Sequence, residues 1–92
     1  MEIAKMLTIS TAHVSEKTAS KLERDEITGL VVYKKEDFGW FIFIPEDLYE
    51  EDYDELPKDL KECVKFSMDN DCNWLCLDCD GEELDELEVY EW

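Results

Sequence analysis

Leu30-Val31-Val32-Tyr33-Lys34-Lys35-Glu36-Asp37-Phe38-Gly39-Trp40-Phe41-Ile42-Phe43-Ile44 is the stretch that decides the fold. Two runs rich in β-branched and aromatic residues flank the turn Lys35–Gly39, which ends in glycine, and that pattern predicts a β-hairpin. The second run, Trp40–Ile44, is apolar at every position and stops at Pro45, which removes a ladder donor. A strand with no polar face reads as central and covered on both sides. Trp40, Phe41 and Phe43, together with Trp74 in a neighbouring strand, are therefore expected in the core.

Working outward, Leu7-Thr8-Ile9-Ser10-Thr11 alternates with period two and reads as a first strand. Ser15 is placed to cap a helix over Glu16–Glu26. Beyond the hairpin, Glu46–Leu56 has no period and reads as an acidic loop with at most one helical turn. Pro57 suits the first position of a helix, and Leu60, Cys63, Val64, Ser67 and Met68 follow the spacing of one buried face. Asn70 terminates it. Trp74–Leu77 reads as a fourth strand, and Asp80-Gly81 as a turn. A helical turn around Glu82–Glu86 and a last short strand near Glu88–Glu91 are expected to follow. The order β-α-β-β-α-β(-β) implies an α+β fold: a mainly antiparallel sheet of four to five strands with two helices on one face, as a single domain over residues 1–92.

Charge is the second signal. The chain carries 26 acidic against 9 basic residues, a formal charge of −17. Residues 1–45 hold seven acids and six bases, whereas residues 46–92 hold nineteen acids and only Lys58, Lys61 and Lys65. Two dense runs supply most of the excess: Glu46–Glu55 has seven acids in ten positions, and Asp78–Glu91 has eight in fourteen. Solubility asks for a net magnitude of only about 2–8 in a small domain, and further like charge destabilises the compact state. A functional acidic face explains the excess better. Direct nucleic-acid binding is disfavoured, because phosphate contacts require Lys and Arg. No apolar run reaches the ~20 residues of a membrane span, and no basic-then-apolar leader opens the chain, so a cytoplasmic protein without membrane association is expected.

Chemistry-bearing motifs are weak. The spacing of Cys63, Cys72, Cys76 and Cys79 contains one CxxC, but Cys76 and Cys79 sit an odd number of positions apart along a strand and point to opposite faces, so no metal is expected. Asp78-Cys79-Asp80-Gly81 has glycine at the wrong position for a calcium loop. His13, the only histidine, lies near Ser10 and Ser15 without a third orienting group, and is expected to bond backbone rather than to act on substrate. Three dispersed glycines build no phosphate loop. The reading is of a non-enzymatic protein with no cofactor.

The acidic runs nominate a partner site: Glu46, Asp47, Tyr49, Glu50, Glu51, Asp52, Tyr53, Asp54 and Glu55 from the first, and Asp80, Glu82, Glu83, Asp85 and Glu86 from the second. Tyr49 and Tyr53 either anchor an interface or fold back onto the core. Duplex DNA carries one charge per ~1.7 Å, so sixteen charges match roughly 27 Å of duplex, about the width of a domain of this size. Both runs on one face would imitate such a segment, provided that the third and fourth strands are parallel.

The segments Ile9–Ser15, Gly39–Phe43, Trp74–Asp78 and Leu87–Trp92 resemble a bacterial family of small acidic proteins of unknown function. The resemblance implies a setting of plasmids, prophages and other mobile elements, where small acidic folds are similar in charge and size to anti-CRISPR and anti-restriction inhibitors. The expected function is then an acidic nucleic-acid mimic that occupies the basic channel of a defence nuclease such as a CRISPR effector. The alternative is an acidic protein–protein interaction module with no nuclease target.

Overall fold

The computed structural model describes all 92 residues. Its strands are β1 (Met6–Ser10), β2 (Val31–Lys35), β3 (Gly39–Phe43) and β4 (Trp74–Asp78), and its helices are α1 (Glu16–Glu23), α2 (Glu50–Asp54) and α3 (Lys58–Asp69), with a 3₁₀ turn at Thr11–His13. The fold is α+β, as the sequence predicts. The sheet order is β1-β4-β3-β2, with β2–β3 and β3–β4 antiparallel and β1–β4 parallel. The hairpin therefore forms as expected, and β4 inserts between it and β1. The radius of gyration is 12.2 Å.

Local chemistry explains the boundaries. The Ser15 hydroxyl accepts from the Thr18 amide at 3.3 Å and caps α1, which ends at Glu23, short of the expected Glu26. Leu60, Cys63, Val64 and Ser67 line the buried face of α3, whereas Met68 is exposed. Gly39 is required: its φ is +152°, and a Cβ there would lie 1.7 Å from the Leu77 carbonyl oxygen in the adjacent strand.

The sheet has two unlike faces. Period-two alternation turns Ile9, Leu75, Leu77, Trp40 and Ile42 toward α1 and α3, whose Ala19, Leu22, Leu60 and Val64 complete the core. Here the expectation of a doubly covered β3 fails. Trp40 is in the core, but Phe41, Phe43 and Trp74 lie on the opposite face and are only half-buried. All helices pack on the Trp40 side, so nothing covers the other.

The fifth strand is also absent. Asp85 and Glu86 form a simple turn, and residues 88–91 join no sheet. Instead the Tyr90 amide donates to the Ala12 carbonyl at 2.8 Å, and Ser10 donates to the Glu82 carbonyl at 2.9 Å, so the C-terminal segment wraps the end of β1 and the turn that follows.

Candidate functional site

The first acidic run begins where β3 stops. Ile44 still bonds the Asn73 carbonyl at 2.8 Å, then Pro45 ends the ladder. Leu48 and Tyr53 fold back onto the core and hold α2 against the helical layer. Asp52 is half-buried and packs toward Gly29, where an added Cβ would come within 2.7 Å of its own Cβ. Glu46, Asp47, Glu50, Glu51, Asp54 and Glu55 face solvent, and Tyr49 stands 70% exposed. The two tyrosines thus divide: Tyr53 is a packing residue, with the Lys61 ammonium 5.6 Å from its ring centre, while Tyr49 is free to meet a partner.

The second run is pinned by backbone rather than by sheet pairing. His13 is buried and uses both ring nitrogens: Nδ1 donates to the Glu88 carbonyl at 2.8 Å, and Nε2 accepts from the Leu84 amide at 2.9 Å. The Leu84 amide can only donate, so the ring is the neutral Nδ1–H tautomer. Leu84 and Leu87 pack on the core, and the Trp92 indole donates to the Val14 carbonyl at 2.9 Å. Between these anchors Asp80, Glu82, Glu83, Asp85 and Glu86 are exposed. His13 is therefore a latch for the C-terminal segment, and neither ring nitrogen is left free for proton transfer.

The two runs do not share one end of the sheet. Because β3 and β4 are antiparallel, Phe43 pairs with Trp74 and Gly39 with Asp78, so the runs leave from opposite ends. This overturns the single flat face that a parallel pairing would have made. Glu55 lines one shallow cleft at the opening of α1 with Ser15, Thr18 and Asp59 and with the cations Lys17 and Lys21. Tyr90 is pushed up to about 12 by burial first, then by its bond to Glu88 and by the charges of Glu88, Asp59 and Glu62. The charge of α3 is thus felt at Tyr90, in the last segment of the chain.

Residues 6–92 match the C-terminal domain of DUF5983, a family of unknown function. The chain belongs to this family. No curated protein and no solved structure matches it. Family membership assigns no activity to the DUF5983 domain, so its chemistry has to be read from the side chains.

Few of those carboxylates are neutralised within the DUF5983 domain. Of the chain's 26 acidic residues, only Glu23, Glu26, Asp69 and Asp78 lie within 4.0 Å of a basic nitrogen. None of the twelve acids nominated from the two runs is among them. Asp78 is the best-held: its bonds from Lys35 and from the Asp80 amide lower its pKa, and the same contact raises that of Lys35.

Sequence reasoning missed two contributors. Asp59 is buried and accepts from the Ser15 amide at 2.6 Å and the Thr18 hydroxyl at 2.8 Å, tying α3 to the start of α1. Glu62, exposed one turn later, adds a charge that is felt at Tyr90. The cysteines do not assemble: Cys63 is buried in α3 and Cys76 lies within the sheet. Three metal-ligating side chains do come within 4.8 Å of one another, but they are Asp78, Cys79 and Asp80, a surface group with one thiol. No helix is long and apolar enough to cross a membrane.

Proposed function

We propose that this domain is an acidic protein-binding module whose partner presents a basic surface. One observation carries the reading: the twelve nominated carboxylates have no cation within 4.0 Å, and eleven of them are exposed, as is Glu62 on α3. Asp52 alone among them is half-buried. Keeping so many like charges unpaired destabilises an isolated domain, and a cationic partner removes that penalty.

A narrower reading takes the partner to be the nucleic-acid channel of a defence nuclease of the CRISPR or restriction type. It is favoured by size and charge: the molecule measures 37 × 27 × 26 Å, and the −16 of its second half equals the charge on about 27 Å of duplex. The mobile-element setting implied by the sequence resemblance would supply such targets. Because the two runs leave from opposite ends of the sheet, a channel engaging both would have to be concave.

Binding to purified nucleases, and to a basic protein that handles no nucleic acid, tests both readings. Affinity should fall steeply between 50 and 500 mM NaCl, as expected of steered association. Reversing Glu50, Glu51 and Asp54 to Lys should slow association at least ~10-fold at low salt, and Glu62→Lys should also weaken binding, whereas Glu16→Lys should change little. Competition by duplex DNA supports the nuclease version, and its absence favours the broader module. Salt-independent binding, or equal effects from Glu16 and the acidic runs, would sink the acidic reading itself.

A further inference from the structure

The uncovered face of the sheet has its own composition. Strand register aligns Val31, Phe43, Trp74 and Met6 in one row, and Tyr33, Phe41, Cys76 and Thr8 in the next. The Tyr33 and Trp74 rings are 6.1 Å apart and the Phe43 and Trp74 rings 5.1 Å apart, so the aromatics form one continuous surface. Tyr33 is 53% exposed. Asp78 is the only acid in any of the four strands, and Lys35 neutralises it. A highly acidic molecule therefore presents one face of partly exposed aromatic rings whose single acid is neutralised.

We propose that this face is a docking site for an arginine-bearing segment of the basic partner, an inference that rests on the acidic reading above. Three considerations select that occupant. A second copy would bring −17 against −17, and nucleic acid would also meet a field of its own sign. One ring of this face already carries a cation, for the Lys35 ammonium lies 5.6 Å from the Phe41 ring centre. Finally, the planar guanidinium stacks on aromatic faces and is more weakly hydrated than an ammonium, so open rings on a molecule of net charge −17 favour Arg over Lys.

Deca-arginine and deca-lysine peptides carry the same charge and separate stacking from attraction at a distance. Titrated into the protein at 0.15 M NaCl and followed by tryptophan fluorescence, deca-arginine should bind about fivefold tighter than deca-lysine. Tyr33→Ala, on the edge strand, should weaken deca-arginine binding about threefold and leave deca-lysine within twofold. Circular dichroism confirms that the variant is folded, and Tyr33→Phe, which keeps the ring, should restore the preference. Equal, salt-dependent binding of both peptides, unaffected by Tyr33→Ala, would overturn this inference and leave the acidic module standing. Binding of neither peptide would remove both. A dimer in sedimentation that Tyr33→Arg dissolves would show a second copy on this face and would also overturn the inference.

Discussion

Ile42 and Phe41 are adjacent in β3 and point to opposite faces, so truncating each in turn reads out which face is the core. Ile42 is 0% exposed among Trp40-side residues, and Ile42→Ala leaves an enclosed cavity between the sheet and the helices. Such truncations cost about 2–5 kcal/mol. Phe41 removes more carbon, yet it is only half-buried and water can fill the space it vacates, so Phe41→Ala should cost about 1–2 kcal/mol. In a domain of this length each kcal/mol moves the melting temperature by about 4–8 °C. Taking about 3 kcal/mol for Ile42→Ala, its midpoint should fall by about 12–24 °C, well below that of Phe41→Ala. Thermal unfolding by circular dichroism, at fixed pH and salt, makes the comparison. If Phe41→Ala were as damaging as Ile42→Ala, β3 would be covered on both sides and the open face would not exist.

Two further outcomes follow from the charges. Raising NaCl from 0.05 to 0.5 M should raise the melting temperature, because screening relieves repulsion within a chain of net charge −17; a flat or falling midpoint would show that the carboxylates are already compensated. The Asp78 carboxylate, whose pKa Lys35 lowers, contributes stability that is present above the ordinary Asp pKa of about 4 and is lost as pH falls through its folded value. Asp78→Asn should therefore be less stable than the parent at pH 7, with the gap closing below pH 4 in denaturant titrations; a gap that stayed constant through the acid range would refute the pairing.

How far the sequence could be read depended on whether neighbouring positions differed in polarity. α3 was legible because Leu60, Cys63, Val64 and Ser67 recur at helical spacing among charged residues, and those four are buried. Met68 fits the same pattern and is exposed, since the helix ends one residue later. β3 was legible as a strand but not in its faces: Trp40, Phe41, Ile42 and Phe43 are all apolar, so nothing in composition separates the covered side from the open one. The end of the chain was misread for another reason. Leu84 and Leu87 do reach the core, but what places them is the ring of His13, more than 70 residues away, bonding two backbone groups. No local period encodes such a contact.

The direction of β4 has the largest consequence for function, and it too was invisible locally. Trp74–Asp78 would look the same in either sense, and its pairing with β1 and β3 is decided by how α3 returns the chain. Since the sense is antiparallel to β3, the starts of the two acidic runs are separated by the length of a five-residue strand, roughly 17 Å. A flat basic surface could then neutralise one run at a time. A partner that engaged both would have to curve from one end of the sheet to the other. Charge reversal distinguishes the two geometries. On a flat partner, reversing either run alone would abolish or spare binding according to which was in contact, whereas on a curved one the two reversals would each weaken association and their effects would add.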